Sequence, residues 1–126
     1  MTSRAETGRT VAASMGPTIA RAIETAEVIS PELGRMLVEF GFGDAYVTGS
    51  LDPRAREIAT IAALAAMGGC EGPLRTHLGA AHTLGVDESE LLDVLIHLVP
   101  IIGFARVLVA ASTFAQFKRD LDSARS

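Results

Sequence analysis

The chain has 126 residues, of which 48% are hydrophobic but only 5% aromatic, with no tryptophan. Eleven Lys and Arg against 15 Asp and Glu leave a net charge of −4 with no basic run, which excludes the electrostatic footprint of a nucleic-acid binder. One cysteine excludes an internal disulfide framework and fits a reducing, cytoplasmic setting. The length suits one domain with a real core. A core of Ala, Leu, Ile and Val packs at short distances, which favours helix on helix. The mean hydropathy of +0.33 is high for so short a chain. Part of the surface is therefore expected to be buried against other copies.

Residues 1–16 are small and polar, lack the apolar core of a signal peptide, and read as a flexible segment ahead of a single domain over 17–122. Pro17 can open a helix whose repeat is Ile19, Ala22, Ile23, Ala26 and Ile29. Ser30 and Pro31 restart the chain as N-cap and first helical residue. Leu33, Met36, Leu37 and Phe40 then form the expected apolar face, and residues 44–51 read as a loop.

Asp52-Pro53 is the clearest helix start. That helix carries Ile58, Ile61, Ala62 and Ala65 inward and stops at Gly68-Gly69. The next begins near Cys70, becomes regular after Pro73 and ends at Leu84-Gly85. Asp87 and Glu90 have capping-box spacing. Pro100 is expected to break or kink the following helix. A last helix carries Phe104, Val107, Leu108, Ala111, Phe114 and Ala115 into a charged tail. The expected fold is all-α, about six helices with no sheet. The apolar region Leu91–Phe117 is interrupted by Asp93, His97, Pro100 and Arg106, so its uncharged runs fall short of the roughly 18 residues a membrane span needs.

Chemistry concentrates between Cys70 and Ala81. Positions 70, 74, 77, 78 and 81 share one helical side, which places His77 on an otherwise apolar face with the only cysteine. Glu57 lies near the start of the preceding helix, where the helix dipole alone is a sufficient reason for a carboxylate. His97 follows Asp93 by four residues and reads as a solvated ion-pair partner. The three histidines form no His-x-x-x-His pair, and no metal site is expected.

Several runs, in unbroken order over roughly residues 30 to 118, resemble the carboxymuconolactone decarboxylase family. They are Phe42-Gly43-Asp44-Ala45-Tyr46, Leu51-Asp52-Pro53-Arg54-Ala55-Arg56-Glu57-Ile58 and Ala62-Ala63-Leu64-Ala65-Ala66-Met67-Gly68. Leu74-Arg75-Thr76-His77-Leu78-Gly79-Ala80-Ala81, Leu84-Gly85-Val86, Glu90-Leu91-Leu92-Asp93-Val94-Leu95, His97-Leu98 and Gly103-Phe104 continue the series. This family is the cofactor-free branch of the AhpD-like helical superfamily. The resemblance implies an all-helical subunit in a trimer or hexamer, with pockets at subunit interfaces and a small-molecule substrate.

The superfamily has two chemistries. Its alkylhydroperoxidase branch resembles Cys-x-x-Cys-x-x-x-His with an upstream glutamate. Cys70 then falls on the first cysteine, His77 on the histidine, and Glu57 near the glutamate with a one-residue length difference. The second cysteine falls on Pro73, so the disulfide of a dithiol cycle cannot form within the chain. The decarboxylase branch needs no thiol. In it His77 becomes the proton donor, Glu57 its orienting or relaying partner, and Arg75 or Arg106 the carboxylate anchor. His97 and Ile101 are further substrate contacts that the resemblance suggests. The family's Tyr-x-Gly-x-Pro reads here Ile101-Ile102-Gly103-Phe104-Ala105, which implies a more apolar substrate, as in specialised metabolism. The alternatives are thiol peroxidase activity using Cys70 alone and a non-catalytic small-molecule-binding oligomer.

Overall fold

The computed structural model describes residues 1–125. Seven α-helices make the fold, with no strand among the described residues. They are α1 (Arg4–Ser14), α2 (Pro17–Ile29), α3 (Pro31–Met36), α4 (Pro53–Met67), α5 (Glu71–Thr83), α6 (Glu88–Ile102) and α7 (Phe104–Arg125). A π-helical segment, Leu37–Phe42, continues α3, and a 3-10 turn, Ala45–Val47, follows it.

The starts are set by local chemistry. Ser30 accepts from the Leu33 N–H, Asp52 from the Ala55 N–H, and Asp87 and Glu90 close a reciprocal capping box. Gly68, with φ of 70°, takes the backbone out of α4 in a conformation that side chains resist.

Two apolar clusters share α5. The larger joins Ile61 and Ala65 of α4 to Leu74 and Leu78 of α5, Leu91 and Leu95 of α6, and Val107, Ala110, Phe114 and Phe117 of α7. The smaller joins Ala12, Met15, Ile19 and Ile23 to Val38, Phe42 and Ala80. The α2–α5 contact is close: the Thr18 hydroxyl donates to the Thr76 carbonyl at 2.8 Å. A Cβ on Gly79 would lie 2.6 Å from the Thr18 side chain. Helix α5 is thus fixed from two sides, which holds whatever it carries in a rigid frame.

Several expectations are corrected. Residues 1–16 carry a packed helix, α1, capped by Ser3. Its buried face is Gly8 and Ala12, so no stripe of large apolar residues betrays it. A Cβ on Gly8 would collide with the Val38 carbonyl; glycine lets the α1 backbone lie directly on the π segment.

The face of Leu33, Met36 and Phe40 points outward, with Phe40 66% exposed. Gly34, Val38 and Phe42 are buried instead. The Gly43 N–H bonds to the Val38 carbonyl five residues back at 2.8 Å, so the π segment shifts the helical register. In α4 the buried face is Glu57, Ile61 and Ala65, rotated so that Ile58 is only half-buried.

Helix α5 is regular from Glu71, because Pro73 sits within its first turn, where no N–H is required. Helix α6 continues through Pro100 to Ile102. The proline forfeits one bond in the last turn, and the Gly103 N–H then closes on the Val99 carbonyl at 3.0 Å. Helix α7 runs on through the charged tail and leaves Phe104 and Leu108 exposed. No helix among the described residues is long and apolar enough to cross a membrane.

Candidate functional site

Helices α4 and α5 pack so that Glu57 and His77, twenty residues apart, meet with Nδ1 to Oε2 at 2.8 Å. Glu57 is 0% exposed and the His77 side chain 18%. A buried carboxylate without partners would cost several kcal/mol, so Glu57 is tenable only because it is bonded. Its second oxygen accepts from the Tyr46 hydroxyl at 3.4 Å. Burial pushes the Tyr46 pKa up, and the Glu57 charge pushes it the same way, so the phenol keeps its proton and acts as a donor.

An ionised carboxylate can only accept. With Glu57 ionised, the His77 proton therefore sits on Nδ1, and Nε2 has no partner among the described residues. The arrangement can do one thing well: hold an imidazole in one orientation and tautomer and support the positive charge that appears when Nε2 takes a proton.

Tyr46 and Arg56 are members the sequence reading passed over. Tyr46 rides on the 3-10 turn and packs on Phe42, ring centroids 5.0 Å apart. Arg56 pins that loop by donating to the carbonyls of Leu51 at 3.0 Å, Ala45 at 2.9 Å and Thr48. The only available signal was that Tyr46 and Arg56 both precede Glu57 and fall in two of the quoted runs, Phe42 to Tyr46 and Leu51 to Ile58.

Of the remaining expected residues, only Arg75 lines the cleft that His77 borders. Cys70 is the N-cap of α5, half-buried in a separate crevice with Gly68, Gly69 and Val109. Arg106 donates to the Met67 carbonyl at 2.8 Å. Arg75 is held by Asp120 at 2.8 Å. His97 and Ile101 lie exposed on α6. No group of three or more His, Cys, Asp or Glu capable of holding a metal occurs among the described residues.

Beside the pair, α2, α5 and α7 enclose an open cleft of about 800 Å³. Thr18, Arg21 and Ala22 form one wall, Thr76 and His77 another, and Phe117, Asp120 and Leu121 the third. His82 also borders the cleft, its ring edge-on to Phe117 with centroids 6.1 Å apart and its Nδ1 buried without a partner among the described residues.

The all-helical bundle is consistent with the AhpD-like fold. The chain belongs to the carboxymuconolactone decarboxylase family, whose family model matches residues 31–116. Glu57, His77 and Tyr46 all fall inside that span, whereas α2 and its wall of the cleft fall outside. No curated protein matches the chain.

Proposed function

We propose that the chain is a cofactor-independent enzyme of the decarboxylase type, acting by proton transfer on a lactone or a related, more apolar metabolite. The observation that carries this reading is the 2.8 Å contact between His77 Nδ1 and a fully buried Glu57. Decarboxylation breaks the bond between the carboxylate carbon and its neighbour. CO₂ departs, and the electron pair remains on the substrate, delocalised toward the lactone carbonyl. His77, once Nε2 has taken a proton from water, donates to that oxyanion and delivers that proton to carbon, while Glu57 supports the imidazolium and Tyr46 steadies Glu57.

Thiol chemistry has less to support it. Cys70 is the only cysteine, and it lines a crevice apart from the cleft that His77 borders. Self-association as a trimer or hexamer is part of the same reading. It is supported by large apolar residues left exposed on α2 to the π segment (Val28, Ile29, Met36, Phe40) and on α6 and α7 (Ile96, Ile101, Phe104, Leu108).

His77→Gln tests the proposal. Glutamine keeps a donor but cannot shuttle a proton. CO₂ release from carboxylated unsaturated lactones should fall by roughly 10²-fold or more, with the assembly still folded. Unchanged turnover together with a clear loss of thermal stability would sink the catalytic assignment.

A further inference from the structure

Arg21 stands out among the charged groups of the α2–α5–α7 cleft. Three such side chains line it: Arg21, Arg75 and Asp120. Arg75 donates to Asp120 through Nε at 3.2 Å and through a terminal nitrogen at 2.8 Å, so these two charges neutralise each other. Asp120 is satisfied further by Gln116 at 2.9 Å. The Arg21 guanidinium has no ion pair or hydrogen bond with any described residue. The cleft therefore carries one net positive charge in a chain whose formal net charge is −4. The rest of its lining is largely carbon, from Ala22, Pro73, Phe117 and Leu121.

We propose that this cleft binds a small monoanion with an apolar body, an aliphatic or aryl carboxylate, with Arg21 gripping the carboxylate and α7 covering the tail. The volume of about 800 Å³ lies in the range of small-molecule sites. A guanidinium presents a fork of donors that matches a carboxylate in two parallel bonds. Among the described residues Arg21 is the one arginine of the cleft left unpaired, which suits a ligand carrying a single negative charge. Arg21 lies on α2, outside the residues the family model matches, so the anion-binding wall is contributed by this chain's own N-terminal helices while the α5 wall lies within the match. Binding does not require turnover and stands or falls separately from the chemistry assigned to His77.

The test is calorimetric titration of the intact protein with decanoate below its micelle concentration, and with decanol as the uncharged control. Three variants accompany it. Arg21 is exposed, so Arg21→Gln and Arg21→Lys leave the packing alone. Gly72 lines the cleft, and a Cβ there meets nothing within 4 Å, so Gly72→Trp fills space without a clash at its base. The expected result is saturable decanoate binding that Arg21→Gln weakens tenfold or more and Arg21→Lys partly restores. Decanol binding should ignore the change at Arg21, and Gly72→Trp should weaken both ligands. The proposal is overturned by a folded wild type that does not bind decanoate saturably. It is overturned equally by an Arg21→Gln protein of undiminished affinity, or by binding indifferent to Gly72→Trp.

Discussion

Glu57→Gln separates what holds the fold from what serves the site. Glu57 has no exposed surface, and burial of a carboxylate costs several kcal/mol. Against that stand one charge-assisted bond to His77, about 1.5–3 kcal/mol, and a longer, weaker one to Tyr46. The two sides nearly cancel. Glutamine removes the buried charge yet keeps the shape: its carbonyl oxygen can accept from His77, and its amide can donate to the Tyr46 oxygen. The net change in stability should be within about 1 kcal/mol, or about 5 °C in melting temperature for a chain of this size. Ile61, also fully buried, is the control. Ile61→Ala should cost about 2–5 kcal/mol, and so melt roughly 10 °C or more below the wild type. On the catalytic reading Glu57→Gln still lowers turnover by roughly 10²-fold or more, since the imidazolium loses its counter-charge. Thermal melts followed by circular dichroism decide the first part. If Glu57→Gln is destabilised as severely as Ile61→Ala, Glu57 is a structural residue and the reasoning is wrong.

Tyr46 is the only tyrosine and the chain has no tryptophan, so phenolate absorbance reads it alone. It should titrate above the ordinary value because burial, and then the Glu57 charge, favour the neutral phenol. Its folded pKa exceeds the unfolded one, so its stabilisation is complete below the unfolded value and is lost as pH rises through the folded value. In Glu57→Gln only part of the shift should vanish, since burial is the larger cause; an ordinary titration in the wild type would contradict this. Cys70→Ser should leave turnover within about twofold, because the thiol lies outside the Glu57–His77–Tyr46 contacts; loss of thiol-dependent peroxide turnover in that variant would restore Cys70 to the chemistry. Phe40→Glu should shift the assembly to smaller species in light scattering while helical content persists, and an unchanged mass would remove that face from the interface.

Helix starts were legible because each depends on a few neighbouring residues: Ser30, Asp52 and Asp87 cap where their sequence says. His77 and Glu57 were legible as types at suitable places, and their meeting needed only that consecutive helices pack. Features settled by backbone proximity were not. The packing of α1 depends on a side chain that is missing, at Gly8. The burial of Val38 and Phe42 in place of Phe40 falls in a π segment, for which an apolar repeat gives no warning. Among the arginines, pairing decides the role, and Arg75 finds its partner forty-five residues away in Asp120. Arg21, assigned no role from the sequence, has no side-chain partner among the described residues and lines the cleft.

The packing of α1 and α2 also fixes where this domain can be cut. A chain trimmed to the family-matched residues 31–116 would lose Ala12, Met15, Ile19 and Ile23, four of the seven buried members of the smaller cluster. Val38, Phe42 and Ala80 would then face water, and Thr18 would leave the Thr76 carbonyl. The far end would lose Phe117 from the larger cluster. The recognisable stretch is therefore shorter than the folding unit. Excision at its borders would yield an aggregating fragment, and a tag or fusion belongs before Ser3 or after α7 rather than at the boundary that similarity suggests.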